Sequence, residues 1–209
     1  MSRSFAQKQR PPETNNAMHF TIHSLTVRTG AVLLASSTLA FAQWNQKLPA
    51  TSPSARVGAA MDFDFTVLGV LLFGGSAPSL NGQTWTYDGT NWTQLAPPTS
   101  PSARFGAQMV YDIARGVSVL YGGLASSISI PPPNNDTWEF NGTTWTQATP
   151  IGNAGNRYNY GACYDSVRSR MVIYGGASTQ LLTTPNSQTW EYQGTTWTQI
   201  TTVGNPGPT

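Results

Sequence analysis

Short apolar runs alternate with turn-forming residues along most of this chain. Val117-Ser118-Val119-Leu120-Tyr121 and Arg170-Met171-Val172-Ile173-Tyr174 are rich in β-branched and aromatic side chains, and each is closed by a glycine pair. Runs of this length and composition, bounded by glycine, predict strands. Further along each unit stand Asp88-Gly89, Asn141-Gly142 and Gln193-Gly194, where a hairpin turn needs a positive φ that glycine adopts without steric cost. The pattern predicts four strands per unit. Strand a covers 57–63, 105–111 and 158–164, and strand b covers 68–73, 117–121 and 170–174. Strand c covers 84–87, 137–140 and 189–192, and strand d covers 92–95, 145–148 and 197–200.

These units are copies of one cassette. The glycine pairs Gly74-Gly75, Gly122-Gly123 and Gly175-Gly176 are spaced by 48 and 53 residues, and Arg56, Arg104 and Arg157 keep the same spacings. Seven residues after each arginine comes an aromatic (Phe63, Tyr111, Tyr164), followed at once by Asp64, Asp112 or Asp165. Each unit closes with two tryptophans seven apart: Trp85 and Trp92, Trp138 and Trp145, Trp190 and Trp197. Fixed-period self-similarity marks a repeat architecture, in which each unit buries its apolar faces on its neighbours.

An aromatic before Gly-Gly, a variable gap, then Thr-Trp and a second Trp resembles the kelch repeat, as in Tyr121-Gly122-Gly123 with Thr137-Trp138 and Trp145. The resemblance covers about residues 44–209, in repeats at about 52–99, 100–152 and 153–204. It implies an all-β, kelch-type β-propeller in which each repeat supplies one four-stranded blade. Trp44 precedes Arg56 by the same 12 residues that separate Trp92 from Arg104, so an outer strand is expected there ahead of the first blade. Three blades fall below the usual four to eight. The expectation is an incomplete ring, the N-terminal portion of a longer propeller. The alternative is self-association of two copies into six blades, which leaves the extra strand at Trp44 without a place.

Composition changes the picture mainly at the N-terminus. Residues 1–17 are polar and carry Pro11-Pro12, so they read as disordered or as an over-extended start, with Met18 the better beginning. The lightly basic stretch from Met18, the apolar run Gly30–Phe41 and the ending Ala40-Phe41-Ala42 predict a signal peptide over 18–42, removed after Ala42. Its apolar run is too short for a stable membrane span. The remaining Gln43–Thr209 holds seven Lys and Arg against eight Asp and Glu, which gives no reason to expect nucleic-acid binding. The lone Cys163 excludes an intrachain disulfide, and its place within strand a predicts a half-buried core residue.

Candidate chemistry is sparse. The b–c loops, about 76–83, 124–136 and 177–188, differ in length and composition while the cassette does not. Variable loops on a repeated scaffold are where recognition concentrates. Ile128, Ile130, Asn134 and Asn135 are the candidate binding residues there, together with Arg56, Arg104 and Arg157 if the guanidinium groups hold anions. The stronger expectation for the arginines is bonding to backbone carbonyls or to an acidic group of the adjacent blade. The paired tryptophans are expected to pack blade on blade. Asn91, Asn135 and Asn141 begin N-glycosylation patterns. The expected function is a secreted binding or scaffolding module for an extracellular protein or carbohydrate, with no cofactor, metal or catalytic residue. The alternative is a propeller enzyme, such as a galactose oxidase-like copper oxidase, whose active residues lie beyond Thr209. His19 and His23, the two histidines, fall in the segment expected to be removed.

Overall fold

Among the described residues twelve strands form in the predicted order. They are β1 (Ala60–Asp64), β2 (Gly69–Phe73), β3 (Thr84–Tyr87), β4 (Trp92–Leu95), β5 (Gln108–Asp112), β6 (Val117–Tyr121), β7 (Thr137–Phe140), β8 (Trp145–Ala148), β9 (Gly161–Asp165), β10 (Arg170–Tyr174), β11 (Thr189–Tyr192) and β12 (Trp197–Ile200). The computed structural model describes residues 45–125, 132–178 and 185–201. The chain divides into Met1–Trp44 and Asn45–Thr209, and every described residue belongs to the second unit. The expected disordered start, signal peptide and Trp44 therefore lie outside the described residues. Residues 45–49 are not in a strand.

The strands make three four-stranded antiparallel sheets, β1–β4, β5–β8 and β9–β12, each an up-and-down meander. The first strand of each sheet adjoins the first strand of the next, β1 beside β5 and β5 beside β9. The arrangement is propeller-like, and the described residues contain no helix.

Strands c and d begin and end where the sequence pattern puts them, because glycine turns delimit them: Gly89, Gly142 and Gly194 take φ of 96°, 92° and 84°. The a–b turns are built by aspartate. Asp112 accepts the backbone N–H groups of Ala114 and Arg115, and Asp165 those of Val167 and Arg168. Asp64 accepts those of Thr66 and Val67. Such Asx turns satisfy backbone donors that the sheet leaves over.

Strand a departs from expectation by starting three residues late in each sheet. Gly58, Gly106 and Asn159 have positive φ (63°, 69° and 52°) and break the extended run. The residue before each, Val57, Phe105 or Tyr158, makes only an isolated bridge to Ser76, Leu124 or Ala177. The left-handed residues serve the boundaries between sheets: Gly106 N donates to Gly58 O and Asn159 N to Gly106 O, both at 2.8 Å.

Apolar residues of facing sheets fill those boundaries. Leu71 and Phe73 of the first sheet meet Met109, Leu120, Phe140 and Trp145 of the second. Val110, Val119 and Tyr121, on the other face of the second sheet, meet Tyr160, Met171, Ile173, Tyr192 and Trp197 of the third. The middle sheet is thus buried on both faces.

Candidate functional site

On the rim that carries the b–c loops, each sheet repeats one side-chain circuit. Arg56, Arg104 and Arg157 each donate from Nη1 to the carbonyl of the first glycine of their own pair, Gly74, Gly122 and Gly175, at 3.0, 2.9 and 3.3 Å. Their Nη2 atoms reach Gln83, Asp136 and Gln188 at 3.0, 2.9 and 3.4 Å. The indole N–H of Trp85, Trp138 and Trp190 donates to the same three side chains at 3.1, 2.7 and 3.0 Å. The first tryptophan of each pair therefore positions the acceptor that holds the arginine. The glycine carbonyls are the expected backbone acceptors, whereas the side-chain acceptor lies in the arginine's own sheet and is acidic only at Asp136, in place of an acidic group from the adjacent blade.

Arg104 and Arg157 are fully enclosed, at 2% and 0% exposure, while Arg56 is half-buried. Among the described residues Arg104 alone of the three has a charged partner, with Nη1 2.6 Å from Asp136. Burial works to raise the Asp136 carboxyl, but the bonds and charge of Arg104 outweigh it and hold the group below the ordinary carboxylate range. Burial lowers the Arg157 guanidinium from its usual value, and its Nε has no hydrogen-bond partner among the described residues.

A further recurring residue escaped the sequence reading. Asn81, Asn134 and Asn186 each donate a backbone N–H to the carbonyl of the second glycine, Gly75, Gly123 or Gly176, at 2.8, 2.7 and 2.8 Å. The Asn81 and Asn134 carbonyls accept the N–H of Arg104 and Arg157 in the next sheet. The signal was present as Asn-x-Gln/Asp-Thr-Trp, at 81–85, 134–138 and 186–190. Asn134, a candidate binding residue, thus sits at a loop root. Asn135 beside it is exposed. Ile128 and Ile130 lie outside the described residues.

The second tryptophan has a separate job. Trp145 Nε1 donates to Thr84 Oγ1 and Trp197 Nε1 to Thr137 Oγ1, each at 3.0 Å and each across a boundary to the preceding sheet. Only these tryptophans bridge sheets by hydrogen bond among the described residues, so the six do not act alike. Gly75 N and Gly123 N also cross, donating to Arg104 O and Arg157 O at 2.8 and 2.9 Å.

On the opposite rim Arg115 binds Asp112 at 2.7 Å and Glu139 at 2.5 Å, and lies 5.4 Å from the centre of the Tyr192 ring in the third sheet. The Tyr192 hydroxyl donates to Glu139 at 2.8 Å. Desolvation pushes the Tyr192 phenol well above its ordinary value, and Glu139 adds to the effect. Cys163 is exposed rather than half-buried. It projects from the face of the third sheet that no other described sheet covers, in a shallow apolar concavity of about 250 Å³ with Val172 and Tyr174.

Among the described residues no group of three or more His, Cys, Asp and Glu side chains is placed to hold a metal ion, and no helix is long and apolar enough to cross a membrane. No family pattern matches the chain, and no curated protein matches it in sequence.

Proposed function

We propose that this chain is a kelch-type propeller module, exported through the segment 18–42, that binds an extracellular protein or carbohydrate through its b–c loops. The observation that carries this reading is the contrast within one rim. Arginine, glycine, asparagine and tryptophan fix the roots of all three loops with the same bonds, while the spans between the roots differ in length and composition. A rigid repeated base with diverse tips is the usual arrangement of a recognition surface. The exposed Asn135, with Ile128 and Ile130, supplies the contact chemistry. Arg104 and Arg157 support the loops from below, and Arg56 is the member of the set with solvent access. The three sheets form part of a larger ring, since the outer faces of the first and third carry the positions that meet a neighbour at the inner boundaries.

Replacing residues 126–131 with a Gly/Ser run spares Asn134 and the loop root. The expected result is lost binding on glycan arrays and to extracellular protein preparations, with an unchanged thermal midpoint. Equal binding by the parent and the replaced chain would remove this loop from the proposal.

A further inference from the structure

The two inner boundaries are not chemically identical, and the difference identifies what belongs on the outer faces. At the boundary between the second and third sheets, Arg115 and Glu139 on one side receive Tyr192 on the other, by a hydroxyl–carboxylate bond of 2.8 Å and a guanidinium 5.4 Å from the ring centre. At the boundary between the first and second sheets, the equivalent positions are Val67 and Thr86 facing Phe140. There the arginine, the carboxylate and the hydroxyl are absent together. The polar set is therefore matched across each boundary, present on both sides or on neither.

The uncovered face of the third sheet carries the full receiving half. Arg168 bonds Asp165 at 2.7 Å and Glu191 at 2.5 Å, as Arg115 bonds Asp112 and Glu139; Arg170, where the second sheet has Val117, adds a further bond to Glu191 at 2.6 Å. The uncovered face of the first sheet carries the matching half, because the position of Phe140 and Tyr192 is there Tyr87. Other boundary positions agree. An added Cβ at Gly142 meets Thr66 and one at Gly194 meets Arg115, both in the preceding sheet, while one at Gly89 meets nothing within 4 Å. Met61 and Phe63 on that face are 58% and 45% exposed, whereas their counterparts Met109 and Tyr111 are 4% and 8% exposed. Trp92 corresponds to Trp145 and Trp197, and Thr189 to the threonines that receive them.

We infer that the uncovered face of the third sheet docks on the uncovered face of the first sheet of a second copy of this chain, with the geometry of the boundary between the second and third sheets. This rests on the ring-forming reading above and names the partner that completes it. In that boundary Tyr87 donates to Glu191 beneath Arg168, Trp92 Nε1 donates to Thr189, and Gly176 N donates to the Arg56 carbonyl. Cys163 is covered by the Phe63 region, as Val110 is covered at the inner boundary. Two copies of the three described sheets making the contact twice give six, within the four to eight that close a propeller, and a head-to-tail contact that closes forms a ring rather than a filament.

The test uses the purified chain in sedimentation equilibrium, with the variants Tyr87→Phe, Glu191→Gln and the pair. The expected result is a species of twice the chain mass, an association weakened about a hundredfold by Tyr87→Phe, about tenfold for each of the two contacts, and no further loss from Glu191→Gln in the Tyr87→Phe background. Phe63→Cys should form an intermolecular disulfide with Cys163 under mild oxidation, with an unchanged far-ultraviolet spectrum. A chain that stays single at every concentration would overturn the proposal. So would a dimer indifferent to Tyr87→Phe that does not cross-link, since it would use another surface. Neither result touches the loop reading, which is tested by the 126–131 replacement.

Discussion

In the middle sheet Trp145 is 1% exposed and bonded to Thr84, whereas Trp92, at the same place in the first sheet, is half-buried with no described sheet beyond it. Val110 is 4% exposed in the middle sheet, and Cys163, its counterpart in the third, is exposed. The same cassette thus has two fates. What decides between them is whether a sheet stands on the other side, because a boundary residue is buried by its neighbour's face and not by its own strand. Each sheet carries both halves of a boundary, and the outer sheets each use one.

Cutting the same side chain in both settings should give unequal losses. Trp145→Ala removes a buried ring and leaves Thr84 without its donor, for an expected loss of about 3–5 kcal/mol in urea denaturation. Trp92→Ala, measured at a dilution where single chains prevail, should cost about 1–2 kcal/mol. Equal losses would mean that the boundaries do not carry the stability assigned to them.

The circuits on the loop rim offer a second contrast. Asp136→Ala leaves the enclosed Arg104 guanidinium without a counter-charge and should destabilise by about 3 kcal/mol. Gln83→Ala removes a neutral acceptor from the half-buried Arg56 and should cost about 1 kcal/mol. A smaller step tests close approach. At Gly122 a Cβ would lie 2.5 Å from the Arg157 carbonyl oxygen, while at Gly89 it meets nothing within 4 Å, and both glycines have positive φ. Gly89→Ala should cost roughly 1 kcal/mol from backbone conformation alone, and Gly122→Ala about 2 kcal/mol more because backbone must move.

The smallest expected effect is on acid stability. Asp136 and Glu191 are held below their ordinary values; in each, burial pushes upward and is outweighed by arginine, Arg104 for the first and Arg170 with Arg168 for the second. A carboxylate with a depressed folded-state value contributes fully above its unfolded value, about pH 4, and loses that contribution as pH falls through the folded value. The urea midpoint should therefore drop between pH 5 and pH 3, and Asp136→Asn should flatten the drop because its contribution is already absent.

Much of this was legible in residue order. Glycine turns and tryptophan spacing placed strands c and d to the residue, since both signals act locally. The late start of strand a was harder to see: Asn159 takes the left-handed conformation that Gly58 and Gly106 take, and an asparagine alone does not announce it. Asn81, Asn134 and Asn186 recur as clearly as the arginines, but their backbone bonds leave no mark on hydropathy. Cys163 is exposed rather than half-buried for a physical reason. Alternation tells which face a strand residue joins, and coverage of that face depends on a neighbour that the local pattern does not encode. Of the candidate site, the loop roots are now placed, while Ile128 and Ile130 lie outside the described residues.

The most direct test of the repeated boundary is exchange of the tryptophan indole protons, followed by nuclear magnetic resonance on the labelled chain at two concentrations. Trp145 and Trp197 should exchange slowly at both concentrations, and Trp92 fast in dilute solution and more slowly as copies associate. Trp145 and Trp197 exchanging as fast as dilute Trp92 would contradict the claim that their bonds to the preceding sheet hold the sheets together.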